Sequence, residues 1–246
     1  MINNKTLEKY INEYLSISKF DDYCPNGLQI EGKSEINNVV SGVSANQELI
    51  EQAIDEKADA LLVHHGFFWK GENQVLTGIK KNRIKALLEN NINLFAYHLP
   101  LDAHPVVGNN IQLAMSLNID NPTPIGDTLV WQGEVSLTLD KLTRLISSIT
   151  DREALVIGDK TKNIKKIAWC SGGAQNYIKY AIEMHADCFI TGEISEQIPA
   201  IAKENGIAFI SAGHHATERY GVQALGQHLA KKFSLDYQYI DIDNIV

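Results

Sequence analysis

Cysteine is scarce. Cys24, Cys170 and Cys188 are odd in number, widely spaced and without a C-x-x-C pair. This excludes a disulfide framework and a thiolate zinc site, so each reads as a small buried hydrophobe. Long apolar runs are also lacking, and none approaches the roughly 18 residues needed to cross a bilayer. Positive charge is short as well: 22 Lys and Arg stand against 30 Asp and Glu, a formal net charge of −8. Nucleic-acid backbone and anionic membrane are therefore excluded as default partners. The first twenty residues interleave Lys5, Glu8, Lys9 and Glu13 with the apolar positions, leaving no signal-peptide core, and a cytoplasmic location is expected. What remains is an ordinary globular composition, 44% hydrophobic and 21% charged over 246 residues. A chain of this size forms one large domain or two lobes and buries about 70% or more of its unfolded surface.

The apolar spacing of Leu7, Tyr10, Ile11, Tyr14 and Leu15 predicts an amphipathic helix over 6–17, with Thr6 as its N-cap. From residue 37 short β-branched runs alternate with helical patterns. VVSGV precedes a helix over 44–57 with Ser44 and Gln47 as a capping box, then come ALLV at 60, a helix near 79–90 and INLFAY at 92. This βαβαβ order predicts a largely parallel sheet with right-handed crossovers.

The same pattern returns. VVSGVSANQELIEQAIDEKADALLVHHG at 39–66 is matched by IAWCSGGAQNYIKYAIEMHADCFITGEIS at 167–195, with Ala58-Asp59 aligned to Ala186-Asp187 at an offset of 128. ENNINLFAYHLPLDAH at 89–104 resembles KENGIAFISAGHHATE at 203–218, about 115 positions on. The fold class is therefore α/β, with two similar lobes from an internal duplication, 1–124 and 125–246. The join is placed at NPTPIGD, 121–127, where two prolines and a glycine mark a connection. The last run, YQYIDI at 237–242, reads as a strand able to pair with either lobe.

Six of the eight histidines fall in three segments that each follow a predicted strand: HHG at 64–66, HLPLDAH at 98–104 and GHHATE at 213–218. Ligands gather at the carboxyl ends of strands in open α/β sheets, so the three should share one site. Gly66 allows the turn that His64 and His65 need in order to face inward together. Pro100 predicts an extended loop between His98 and Asp102. His214 and Glu218 stand four apart on one helical face, a chelating spacing. His64, His65, Asp102, His214 and Glu218 thus form an imidazole and carboxylate set suited to iron, manganese, cobalt or zinc, and richer than one tetrahedral ion requires. His104, His185, His215 and His228 are read as structural.

DDYCPNGLQIEG at 21–32, VHHGFFWKG at 63–71, YHLPLDAHPVVGNN at 97–110, ITGEISEQ at 190–197 and AGHHATERYG at 212–221 carry a resemblance along nearly the whole chain. The sequence resembles the Nif-three-like proteins, also called GTP cyclohydrolase I type 2 homologues, in their short bacterial form. The resemblance implies a two-lobed α/β fold, two divalent ions per chain in the inter-lobe cleft, and a homohexameric toroid. The family ligands fall at His64, His65, Asp102, His214 and Glu218.

Around this set, Glu193 occupies in the second repeat the place of His65 in the first, and is a general-base candidate or a helix N-terminal charge. His98 is a second acid–base or ligand-supporting candidate. Asn26 and Gln29 are read as lining the mouth or forming a turn, Lys70 and Arg83 as solvated or anion-holding, and Ser171-Gly172-Gly173 as a weak phosphate-cradle signal without a Walker lysine. The leading expectation is a metal-dependent hydrolase of a small, nucleotide-like substrate, with the metal activating water and Glu193 or His98 moving its proton. The competing expectation is a non-catalytic metal-binding scaffold or regulatory ring.

Overall fold

Asp59 and Asp187 show why two separate sheets begin in the same way. Asp59 Oδ2 accepts from the Asn37 and Asn38 amides at 2.9 and 3.0 Å, and Asp187 Oδ2 accepts from the Lys165 and Lys166 amides at 2.9 and 3.0 Å. The residue two places earlier closes the preceding helix in the left-handed region in both cases, Lys57 at φ 55° and His185 at φ 55°. The duplication read from the sequence is therefore reproduced at the level of single hydrogen bonds.

The computed structural model describes residues 1–246 as two units, one of Met1–Gly108 with Arg219–Asp243, the other of Asn109–Glu218 with Asn244–Val246. The first holds β1 (Ile2–Asn3), α1 (Asn4–Tyr14), β2 (Gly27–Ile30), β3 (Glu35–Ile36), β4 (Asn38–Ser44), α2 (Gln47–Asp55), β5 (Ala60–His65), α3 (Gly78–Glu89), β6 (Asn93–Ala96) and α4 (Leu99–Ala103). The second holds α5 (Asn109–Ser116), β7 (Asp120–Pro124), β8 (Trp131–Thr138), α6 (Leu139–Thr150), β9 (Leu155–Ile157), β10 (Asn163–Trp169), α7 (Ile178–Glu183), β11 (Cys188–Thr191), α8 (Ile198–Glu204), β12 (Ala208–Ser211) and α9 (His214–Thr217). The chain then returns to the first unit with α10 (Arg219–Phe233) and β13 (Asp236–Tyr239).

In the first unit β4, β5 and β6 are parallel neighbours, as the βαβαβ pattern predicts, within the order β13-β4-β5-β6-β2. Alternate strand residues face two apolar layers. Val40, Leu61, Val63 and Leu94 pack with Leu49, Ile50, Ile84 and Leu87 of α2 and α3. Val39, Leu62 and Phe95 pack with Leu7 and Ile11 of α1 and with Val222, Leu225 and Leu229 of α10. A central strand covered on both faces needs apolar residues throughout, which explains the unbroken ALLV run. The second unit repeats the motif, with β10, β11 and β12 parallel in the order β7-β8-β10-β11-β12-β9. In each unit the strand beyond the third parallel one is antiparallel, β2 beside β6 and β9 beside β12.

The division expected at 124/125 differs from these units. Pro124 lies within β7, an edge strand paired with β8, where a missing amide is tolerated and proline reads misleadingly as a linker. The C-terminal segment rejoins the first sheet because Tyr237 pairs with Val39 in parallel register and the apolar stripe of α10 covers that face. Three local expectations also shift by a residue or a role. Asn3, not Thr6, caps α1, accepting from the Lys5 and Thr6 amides, and Asn46, not Ser44, caps α2. Residues 99–103 form one helical turn, since a proline in the first turn removes only an amide that had no partner there. All three cysteines are buried and none forms a disulfide. No helix is long and apolar enough to cross a membrane.

Candidate metal centre

The first unit gathers His64, His65, His98 and Asp102 at the carboxyl ends of β5 and β6. One ring nitrogen from each of His64, His65 and His98 lies within 4.8 Å of the others, and His64 Nε2 stands 3.5 Å from Asp102 Oδ1. The strand runs through both neighbouring histidines, yet their ring centres are only 4.6 Å apart. His64, fully buried, has Nδ1 2.9 Å from the Tyr97 carbonyl oxygen, an acceptor, so Nδ1 carries a proton and Nε2 is the nitrogen turned toward Asp102. His65 Nδ1 meets Ser44 Oγ at 3.0 Å. Ser44, expected as a helix cap, instead orients a candidate ligand from the neighbouring strand of the sheet. Metal-binding imidazoles are characteristically held in this way by their second nitrogen.

His98 Nδ1 is 2.7 Å from Asp22 Oδ1, and its ring stands edge-on to Trp69 with centres 5.1 Å apart. Burial works against the Asp22 carboxylate, but hydrogen bonds from His98, Asn26 and the Tyr23 amide outweigh it and hold its pKa below the usual range. Cys24 adjoins this pair, and burial together with the Asp22 charge pushes its thiol up to about 12, so it stays protonated. Asn26 clasps Asp22 and the His98 amide, whereas Gln29 accepts from the Phe67 amide at 2.6 Å and braces the turn after His65. Lys70 is exposed and Arg83 half-buried.

The second unit gathers Glu193, His214 and Glu218. His214 Nδ1 is 2.6 Å from Glu193 Oε1 and Nε2 is 3.0 Å from Glu218 Oε2, so the spacing of four does place the two ligand candidates side by side. Burial opposes the His214 imidazolium, yet the hydrogen bonds and charges of Glu218 and Glu193 prevail and push its pKa up to about 9. Glu193 therefore works first as the carboxylate that orients His214. The three loops that follow β10, β11 and β12 extend the ladder beyond the strands, with the Gly192 amide on Gly172 O and the Gly213 amide on Gly192 O, both at 2.9 Å.

The amides of Ser171, Gly172 and Ala174, which a phosphate cradle at 171–173 would use, are engaged within the protein. Asn110 Oδ1 takes the Ser171 amide at 2.9 Å, Thr217 Oγ1 takes the Gly172 amide at 2.9 Å, and Thr191 Oγ1 takes the Ala174 amide at 3.2 Å. Gly172 is needed there for another reason: at φ 68° a Cβ would overlap Glu218 Oε1 and come within 3.2 Å of His214 Nε2. Gly172→Ala should cost about 1–2 kcal/mol from the left-handed backbone. It should also displace Glu218 and weaken divalent-metal binding roughly 10–100-fold, as loss of a ligand's support does. Titration of the metal-free variant with zinc checks this, and wild-type affinity would show that Glu218 does not bind metal.

Of the remaining histidines, His228 stacks on Tyr14 with ring centres 4.4 Å apart, and His104 packs against the same ring at 4.5 Å, tilted by 40°. The donor chemistry fits a divalent ion: imidazoles held through Nδ1, together with carboxylates, and no thiolate among the candidate ligands.

A family model described as Duf34/NIF3 (NGG1p interacting factor 3) matches residues 2–244. A Haemophilus influenzae protein named GTP cyclohydrolase 1 type 2 homolog is 50% identical over 250 residues, covering 99% of each chain. The solved structure of protein ybgI, titled as of unknown function, is 46% identical over 100% of both chains with a TM-score of 0.96. That of TTHA1606 from Thermus thermophilus is 34% identical over 100% of both chains, with a TM-score of 0.92. Matched along its length in sequence and in fold, the chain belongs to the Duf34/NIF3 family.

Proposed function

We propose that this protein is a divalent-metal-dependent hydrolase of a small, nucleotide-like substrate. In this reading His64, His65 and Asp102 from the first unit and His214 and Glu218 from the second are the ligands of two ions, drawn from iron, manganese, cobalt or zinc. The observation that carries the reading is the preparation of the histidines. His64 Nδ1 is held by a carbonyl and His214 Nδ1 by Glu193, the second-nitrogen support characteristic of metal-binding imidazoles, and Nε2 of each lies beside a carboxylate that would share the ion. The substrate class rests on the name borne by the relative from Haemophilus influenzae. When bound, the ions supply Lewis acidity and an activated water. The chain's own residues hold His214 through Glu193, and His98, whose ring lies beside His64 and His65, is the residue placed to receive and return a proton. We extend the proposal to a cytoplasmic homohexamer, with no nucleic-acid or membrane partner.

The test is metal analysis of untagged protein purified without added ions, followed by a panel of nucleotides, phosphoesters and amides with each ion restored. Turnover that falls at least about a hundredfold in Asp102→Ala is expected, since a lost ligand removes both metal and charge. Full metal occupancy with no turnover on any substrate would replace the hydrolase by the scaffold or regulatory ring.

A further inference from the structure

Asp22 lies in the segment between α1 and β2, far in sequence from the histidines, and its side chain is only 3% exposed. Its two oxygens face four donors: the Tyr23 amide at 2.6 Å and His98 Nδ1 at 2.7 Å on Oδ1, and Asn26 Nδ2 at 2.8 Å and the Leu99 amide at 2.9 Å on Oδ2. An ionised carboxylate offers about four acceptor sites and no proton, so the hydrogen shared with His98 belongs to the ring. Asn26 Oδ1 completes the clasp by accepting from the His98 amide at 2.7 Å. The start of α4 is thereby held by backbone and ring together. Capping α4 needs only the bond from the Leu99 amide; the bond to the imidazole uses the other oxygen and has no part in capping.

We propose that Asp22 is a positioning residue that holds His98 with its proton on Nδ1 and its Nε2 lone pair directed to the His64 and His65 pair. The inference rests on the reading of that pair as part of the reacting centre, and deepens it by assigning proton transfer to His98 and its orientation to Asp22. Three rings then share one arrangement: each Nδ1 is engaged by Tyr97 O, Ser44 Oγ or Asp22 Oδ1, and one ring nitrogen of each lies within 4.8 Å of the others. Trp69 against the His98 ring narrows its freedom further.

Asp22→Asn provides the test. An amide NH2 replaces one of the two oxygens and confronts two donors at either place. In place of Oδ2 it meets the Leu99 amide and Asn26 Nδ2, neither of which can become an acceptor while Asn26 Oδ1 holds the His98 amide. In place of Oδ1 it deprives only the Tyr23 amide, because the imidazole can move its proton to Nε2 and accept at Nδ1. In long-range proton–nitrogen spectra of histidine-labelled, metal-free protein, wild-type His98 should be protonated on Nδ1, and Asp22→Asn should shift it to Nε2. His98→Gln identifies its signals, and an unchanged His64 tautomer reports an intact fold. Wild-type His98 protonated on Nε2 overturns the proposal even if the variant does not fold, and so does an unaltered tautomer in a folded variant. With zinc restored, Asp22→Asn should keep its metal content and lose roughly 10–100-fold in kcat. Unchanged kcat overturns the role in proton transfer. If wild type turns over nothing in the panel while the tautomers behave as expected, the hydrolase reading fails and the placement of His98 by Asp22 stands.

Discussion

Removing divalent metal is expected to lower the melting temperature by about 5–10 °C with little change in helix content. An ion present at about a hundred times its dissociation constant stabilises the folded state by about 2.7 kcal/mol. Each kcal/mol moves the midpoint by about 2–4 °C in a chain of this size. The native backbone hydrogen bonds around the ligands involve no ion: the Gly172, Gly192 and Gly213 amides are all satisfied within the protein. Circular dichroism should therefore change little on chelation, while the calorimetric midpoint falls. Protein of verified metal content whose midpoint is unmoved by chelator would contradict binding by folded-state ligands. Point variants test the ligand set better than a cut near Pro124. A fragment ending there lacks α10 and β13, which cover and extend the first sheet, and would fail through lost packing whatever its ligands do.

Trp169→Ala is expected to be among the most destabilising single changes, at about 3–5 kcal/mol. The ring is fully buried on β10, pairs across the sheet with Trp131 at 6.3 Å between ring centres, and its Nε1 donates to Asn110 O at 3.0 Å. Truncation leaves a cavity and removes the hydrogen bond from the ring to the α5 backbone. The same asparagine holds the Ser171 amide through its side chain, one residue from Gly172 and its contact with Glu218. The variant should therefore lose metal more readily as well as unfold at lower urea. Urea unfolding followed by circular dichroism measures the first effect and zinc titration the second. A loss below about 1 kcal/mol would mean that the site collapses around the missing ring.

The parallel strands, their crossovers and the repeat were legible because they rest on local pattern. Apolar runs of β-branched residues at regular spacing specify strands, and Asp59 and Asp187 recur at one offset because each caps the same kind of strand start. The pairing of His214 with Glu218 was legible for the same reason, since a helical turn alone brings residues four apart together.

Other features depend on partners distant in sequence. Pro122 and Pro124 read as a linker because local pattern cannot tell an edge strand from a connection; only the pairing of β7 with β8 decides it. The C-terminal strand carried no signal for either sheet, and its place was settled by the register of Tyr237 on Val39 and by the surface that α10 needed to bury. Ser44 and Asp22 were misassigned or passed over although both lie in segments singled out from the sequence. Their roles arise from side chains 21 and 76 residues away, brought close by the sheet and by the turn into α4. The sequence by itself determined which residue types could bind metal and which strands would present them. The tertiary structure decided which nitrogen of each histidine is held, because a tautomer is set by the acceptor that the fold places beside the ring.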